Sequence, residues 1–249
     1  MAKRAIPEIN AGSMADIAFL LLIFFLVTTT MDKDTAYVRS IPKPIKTDII
    51  PPPVSERNML AIKANNQNQI LIRDEIVDVE LISDKVLKFY QANEKQNVDG
   101  NFPFYSRVSP SFIEDQIKGV EKQIEELEKN DSPKEFIDVK FQELDAWMKK
   151  KAALALYGGS SLPEIDFQAN IRIEVAATTQ YEIFAKIHSE IEEALYELRD
   201  KESKRIFNTS FGVLKRKNSL DASGLEEKDK LELLELLYPA RIIEVTPKR

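Results

Sequence analysis

One apolar run constrains this chain more than any other feature. The stretch GSMADIAFLLLIFFLVTTTMDKD, residues 12–34, holds about fifteen uncharged residues from Ile17 to Met31, enough for a helix of ~22 Å at ~1.5 Å per residue. The hydrocarbon core of a bilayer is ~30 Å thick and needs ~20 residues. Extending the helix backwards to residue 13 supplies the missing length and carries Asp16 below the membrane surface. We therefore predict a single transmembrane helix over residues 13–31.

The position of Asp16 has two interpretations. The side chain is either an N-cap in water at the cytoplasmic surface or an acid inside the membrane. In hydrocarbon a charged carboxylate costs on the order of several kcal/mol, so an acid placed there stays protonated until water or a polar partner reaches it. That behaviour is the chemistry of a proton relay. Since the predicted span has no second ionisable side chain, proton conduction would need a partner that lines the path.

The flanks of the run give its orientation and argue against two other interpretations. A signal peptide would end in a small-residue cleavage site, whereas TTTMDKD follows here. A helix of a small soluble domain would have a polar face, and IAFLLLIFFLV has none. Lys3 and Arg4 precede the run, so the tail at residues 1–12 is predicted to be cytoplasmic. The bulk of the chain, from Asp32 onward, is then predicted to be periplasmic, outside the inner membrane.

Composition excludes several functions. The 249 residues carry a formal net charge of −6, and the basic residues are interspersed with acids, which argues against nucleic-acid binding. The absence of cysteine excludes disulfides and thiolate chemistry, and the one histidine, His188, makes Ser-His or multi-histidine metal chemistry improbable. Acids such as Glu75 and Asp78 belong to an ordinary charged loop. We predict a protein that is not an enzyme and that has no cofactor or metal.

The segment 32–57 is predicted to be a Pro-rich linker. Its prolines, which include Pro51–Pro53, favour an extended chain that spans on the order of 80 Å when fully stretched at ~3.1 Å per residue. Within the linker, β-forming residues alternate between two sides and end at a proline. This piece either adds as a strand to a sheet edge, in a dimer of the chain or in a partner, or is a linker with a few apolar residues. The candidate partner-binding residues are Tyr37, Val38, Arg39, Ser40, Ile41 and Pro42.

After the predicted linker, sequence patterns typical of strands alternate with patterns typical of helices. Period-two alternation predicts strands, and apolar residues at helical spacing predict helices. We expect Thr178 or Thr179 to cap the helix that begins near Gln180, and Arg241 to Val245 to form an edge strand or a tail. The predicted elements are a hairpin of Met59–Ala64 with Ile70–Ile72, a helix over Val79–Tyr90, a polar loop over Asn93–Pro103, a strand over Ile171–Val175, a helix from Gln180 to about Asp200, and a Leu-rich helix ending at Tyr238–Pro239.

A heptad pattern predicts a helical hairpin. Apolar residues recur at alternating intervals of four and three residues, a spacing typical of a packed helical seam. They are Ile113, Ile117, Val120, Ile124 and Leu127. Ser132 and Glu135 then form a capping-box pattern, with Pro133 at the first helical position. The second helix places Ile137, Phe141, Leu144 and Met148 on one face. The hairpin is either a decoration packed on its own core or a docking surface for a second anchor subunit or cell-wall material.

These patterns predict an α/β (α+β) fold. It would consist of an N-terminal transmembrane helix, an extended linker and a small sandwich-like periplasmic domain with an inserted helical hairpin. The predicted segments are a tail (1–12), a span (13–31), a linker (32–57), an α/β domain (58–92 and 165–212), the hairpin insertion (93–164) and a C-terminal helical extension (213–249).

Several motifs resemble the ExbD/TolR family of energy-transducing proteins. The pattern Glu8-Ile9-Asn10 followed by Asp16-Ile17 and an apolar run is similar to theirs, although Gly12-Ser13 stands where familiar members have Thr-Pro. TAYVRSIPKP, residues 35–44, looks like the family's short periplasmic segment. NMLAIKANNQNQILI and IRIEVAATTQYEIFAKIHSEIEEAL resemble the two halves of its outer domain. The resemblance covers about half of the chain.

The resemblance implies a function and partners. Family members act with an ExbB-like helical pentamer that holds the spans of two ExbD-like chains, and the membrane aspartate, here Asp16, is protonated and deprotonated as protons flow inward. The motion is passed to a TonB-like protein that drives import through outer-membrane receptors. The alternative is a passive, membrane-tethered adaptor that binds peptidoglycan or an envelope partner, as TolR-like proteins do.

Overall fold

The computed structural model describes residues 19–23, 55–73, 75–176, 179–220 and 225–245. The chain divides into two compact units, Met1–Pro51 and Pro52–Arg249. In the first unit, only residues 19–23 are described, a helical stretch with exposed side chains. The predicted transmembrane helix and linker therefore lie almost entirely outside the described residues and stay predictions, as does the division of the chain into six segments.

The second unit is a mixture of strands and helices, which confirms the mixed α/β character of the fold. Short 3-10 turns precede the first strand and the first helix, at Glu56–Asn58 and Val79–Leu81. The elements, in chain order, are β1 (Met59–Ala64), β2 (Ile70–Ile72), β3 (Glu75–Val77), α1 (Ile82–Gln91), β4 (Tyr105–Val108), α2 (Pro110–Lys129), α3 (Lys134–Tyr157), β5 (Leu162–Ile165), β6 (Asn170–Val175), α4 (Tyr181–Phe207), α5 (Phe211–Leu220), α6 (Leu225–Leu237) and β7 (Ile242–Val245).

The main sheet of the described residues has the strand order β3-β2-β1-β6-β7. β1 and β2 form the predicted antiparallel hairpin, with Ile62 opposite Ile72. β1 and β6 are parallel over six residue pairs, from Met59–Asn170 to Ala64–Val175. β7 continues the sheet in parallel with β6. Of the two possibilities left open for Arg241–Val245, an edge strand or a tail, the structure therefore shows the edge strand, over Ile242–Val245.

One face of this sheet is covered by helices and the other is open. Alternate residues of the strands, such as Leu60, Ile62, Ile171 and Ile173, are buried against α1 and α4. Their neighbours point to the opposite face, where Ile76 is 69% exposed and Ile243 is 49% exposed. The period of two therefore separates a core face from a solvent face, as expected for a sheet with helices on one side.

The predicted helical hairpin is present as α2 and α3. The heptad residues Ile113, Ile117, Val120 and Ile124 of α2 are buried. α3 packs beside them, and its Trp147 ring makes an edge-to-face contact with Phe112, with ring centroids 5.9 Å apart.

The start of α3 differs from the predicted capping box. Pro133 is the N-cap rather than the first helical residue, and no side chain caps the helix. The Ser132 amide instead donates to the carbonyl of Leu127, which closes the end of α2. Ser132 therefore belongs to the turn that ends α2. It does not cap the start of α3, as the sequence pattern predicted.

A second, two-stranded sheet closes the base of the hairpin. β4 precedes α2, β5 follows α3, and the two strands pair in antiparallel fashion. Lys150 of α3 and Glu164 of β5 form an ion pair of 2.8 Å. Sequence patterns did not reveal this sheet, because each strand has only four residues and β5 contains Pro163.

The helix α4 begins one residue later and ends later than predicted. Gln180 is its N-cap, without a side-chain cap, and Thr179 is used differently, since its hydroxyl donates to the carbonyl of Asn65 at 3.1 Å. Thr178 lies outside the described residues. Thr179 therefore ties the start of the helix to the β1–β2 turn rather than capping it.

The loop over Asn93–Pro103, predicted to be polar, is organised by one buried amide. The Asn93 side chain is 1% exposed. Its Nδ2 donates to the carbonyls of Asp99, Phe102 and Pro103 at 2.7, 3.0 and 3.1 Å. Its Oδ1 accepts from the amides of Val98 and Asp99 at 3.0 and 2.9 Å. The Asn93 side chain therefore supplies five of the hydrogen bonds that satisfy backbone groups of this irregular loop.

Replacing Asn93 by alanine is expected to lower the free energy of unfolding of the second unit by about 3 kcal/mol, because the change leaves buried backbone groups without hydrogen-bond partners. Chemical denaturation followed by circular dichroism measures the loss. The matched control is Asn101→Ala, at an exposed position of the same loop, which should stay within about 0.5 kcal/mol of the unmodified chain. Equal stabilities of the two variants would contradict the role assigned to Asn93.

Candidate functional site

The residues predicted from the sequence to carry function lie outside the described residues. Asp16 falls before residue 19, and the linker segment falls between residues 23 and 55. Their roles stay predictions, and the structure brings none of them together. These residues are Asp16 and Tyr37, Val38, Arg39, Ser40, Ile41 and Pro42.

The main sheet of the described residues has two edges that a partner strand can join. β3 forms one edge with only three residues, and its Ile76 is largely exposed. β7 forms the other edge with four residues. Edge strands carry unpaired N–H and C=O groups, and these groups are the means by which an extended peptide adds to a sheet.

An aromatic stripe of α4 borders the β7 edge. Tyr181 and Phe184 have ring centroids 5.9 Å apart, and Phe184 and His188 are 4.5 Å apart. Nε2 of His188 lies 3.3 Å from Oε1 of Glu244 in β7. The His188 side chain is 17% exposed, so it lies at the boundary of the core.

A cluster of buried tyrosines fixes the C-terminal segment to the body of the unit. The Tyr90 hydroxyl donates to the carbonyl of Pro239 at 2.6 Å, and the Tyr105 hydroxyl donates to the carbonyl of Tyr90 at 2.8 Å. The Tyr238 hydroxyl lies 2.5 Å from Oε1 of Glu94. The guanidinium group of Arg199 in α4 donates to the carbonyl of Tyr238 at 2.7 Å. Sequence analysis missed this cluster, because Tyr90 and Pro239 are 149 residues apart and no local pattern links them.

A groove of about 330 Å³ lies between α3 and α6, with Ala152, Ala153 and Leu236 among its lining residues. The described residues contain no group of three or more metal-ligating side chains. Among the helices of the described ranges, none is both long and apolar enough to cross a bilayer.

A comparison with models of protein families matches residues 2–198 to the family described as biopolymer transport protein ExbD/TolR. The chain belongs to the ExbD/TolR family. No curated protein and no solved structure matches the chain. The match confirms the resemblance to this family that the sequence patterns indicated.

The extent of the match locates the ExbD/TolR region within the structure. The match includes the helical hairpin and ends at residue 198, inside α4, so it covers more of the chain than the half expected from the motifs. The remainder of α4, together with α5, α6 and β7, lies beyond it. In this chain, therefore, the edge strand next to β6 comes from outside the family region.

The tyrosine cluster predicts a loss of stability at alkaline pH. Burial raises the pKa of Tyr90 to about 12, and burial also raises the pKa values of Tyr105 and Tyr238. In the unfolded chain a tyrosine ionises near pH ~10. The stabilisation is therefore complete below pH ~10 and is lost as the pH rises through the folded pKa.

Urea denaturation between pH 8 and 11 tests this expectation. The free energy of unfolding should fall above pH ~10, and Tyr90→Phe should reduce the slope by about 1.4 kcal/mol per pH unit. The control is Tyr181→Phe, because Tyr181 is 79% exposed and its removal should leave the slope unchanged. The same slope in all three chains would contradict the assignment.

Proposed function

We propose that the chain is the proton-motive-force-coupled subunit of an ExbB-ExbD type inner-membrane motor that energises TonB-dependent transport across the outer membrane. The observation that carries the proposal is the family match, which begins at residue 2 and so includes the apolar run with Asp16. In this proposal the chain is not an enzyme, and its work is to couple proton flow to movement.

Asp16 is proposed to be the proton-carrying group. It is the one ionisable residue of the predicted span 13–31, so it would be neutral in contact with lipid and would ionise when water or a polar group of a partner reaches it. An ExbB-like pentamer is the partner proposed to line that path. The span would be anchored with its N-terminus in the cytoplasm and the bulk of the chain in the periplasm.

The outer unit is proposed to pass the motion on. The described part of this unit begins at Ser55, next to the start of the central strand β1, so the predicted linker joins the sheet directly. The segment from Tyr37 to Pro42 is proposed to pair as a strand with a second ExbD-like chain or with a TonB-like protein. The presence of two open edges in the described sheet supports strand pairing as the mode of contact.

The proposal is tested by Asp16→Asn, which keeps the size of the side chain but cannot exchange a proton. Energy-dependent uptake through outer-membrane receptors is expected to be lost, with the protein still inserted and still copurifying with its pentameric partner. The control is Asp16→Glu, which retains an ionisable group and should keep part of the activity. Full uptake by the asparagine variant would refute proton coupling at this residue.

The second candidate function is a passive, membrane-tethered adaptor that binds peptidoglycan or an envelope partner. It is favoured by the extensive core of the outer unit, which includes the hairpin and the C-terminal segment. Exchange of residues 13–31 for an unrelated transmembrane helix distinguishes the two functions. Retained function after the exchange supports the adaptor, and lost function together with normal insertion supports the motor.

A further inference from the structure

The strand β7 occupies an edge that the family region would leave open. β6 lies within the matched residues, whereas β7 lies 44 residues or more beyond the last matched residue, 198. β7 pairs in parallel with β6, with Ile171 opposite Ile242 and Ile173 opposite Glu244. The chain therefore supplies its own strand to this edge.

Hydrogen bonds at Arg241 fix the start of β7, and few side-chain contacts hold the rest of the strand. The Arg241 guanidinium donates to the carbonyl of Asp166 at 2.7 Å, and the Arg241 carbonyl accepts from the amide of Ile171 at 2.9 Å. Beyond this point no residue of β7 is buried. Ile243 is 49% exposed, and Val245 is only partly covered. Loss of β7 would therefore break its hydrogen bonds to β6 without removing a fully buried side chain.

The surface beneath β7 recognises a defined pattern. Ile242 faces the helix side of the sheet and packs against the core. Two residues later, Oε1 of Glu244 lies 3.3 Å from Nε2 of His188, whose ring contacts that of Phe184 at an interplanar angle of 59°. In strand addition, main-chain hydrogen bonds supply affinity and alternate side chains supply specificity. β7 therefore presents to this edge an aliphatic residue followed, two positions later, by a carboxylate.

We propose that β7 is a replaceable strand. The surface beneath it, formed by the β6 edge with Phe184 and His188, is an acceptor site for an extended segment of a partner protein that carries this aliphatic-x-acidic pattern. The partner segment enters in parallel with β6 and displaces β7, which swings away from Arg241. The proposal depends on described residues of the outer unit and not on Asp16, so it stands or fails independently of proton coupling.

A reversible lock on β7 provides the test. The full chain has no cysteine, so the pair Arg172→Cys and Ile243→Cys can join β6 to β7 as the sole disulfide, at register partners on the open face of the sheet. The matched control is Lys63→Cys with Glu174→Cys, which joins β1 to β6 on the same face. The control lock constrains two strands that are not proposed to separate.

The probe is a fluorescent peptide with the sequence of residues 240–249, ARIIEVTPKR, added to the full chain in mild detergent. The resident strand competes at an effective concentration on the order of millimolar, so the chain is also tested with Ile242→Ser, which loosens β7. We expect this variant to bind the peptide at least tenfold more tightly than the unmodified chain. A peptide in which Ile242 and Glu244 exchange places should bind at least tenfold more weakly.

The lock separates displacement from binding elsewhere on the chain. Oxidation of the Arg172–Ile243 cysteine pair should reduce peptide affinity at least tenfold, and reduction should restore it, whereas oxidation of the control pair should change nothing. Equal binding to the oxidised and reduced lock would overturn the proposal. Failure of the peptide to bind even the Ile242→Ser chain would also overturn it.

Discussion

The parallel pairing of β1 with β6 is the constraint on which the described structure depends. It joins Met59–Ala64 to Asn170–Val175, two segments that lie far apart in the chain. The inward residues of both strands, among them Ile62 and Ile173, form the centre of the core on which α1 and α4 pack. Parallel strands need a crossover connection rather than a tight turn, and here the connection contains the helical hairpin as well as α1.

The insertion is compatible with this pairing because its two ends are brought together. β4 and β5 pair directly before and after the hairpin, so the chain leaves and re-enters the unit at neighbouring positions. The Lys150–Glu164 ion pair and the buried seam of α2 hold the hairpin to this base. The C-terminal segment is fixed in a similar way by Tyr90, Tyr238 and Arg199. The hairpin, which lies inside the matched residues, and the C-terminal segment, which lies beyond them, thus share one core with the main sheet.

Sequence patterns predicted the long elements and the family but not the tertiary contacts. The period-two alternation of β1 and the heptad of α2 are strong signals because burial on one face requires them. The two-stranded sheet was missed because its strands are short, and the tyrosine cluster was missed because its members are distant in sequence. The capping box at Ser132 was wrong because the same hydrophilic residues also suit the end of the preceding helix. The site predicted at Asp16 and Tyr37–Pro42 rests on sequence alone.

The central position of β1 has a mechanical consequence. The chain enters the sheet at Met59, the first residue of a strand with a neighbour on each side. A pull at Met59 in the direction of β1 acts parallel to that strand, whereas the hydrogen bonds to β2 and β6 run across it. The bonds are therefore loaded together in shear rather than opened one after another, as they would be in a strand peeled from an edge. The second unit, Pro52–Arg249, is thus suited to bear tension applied in this direction without unravelling.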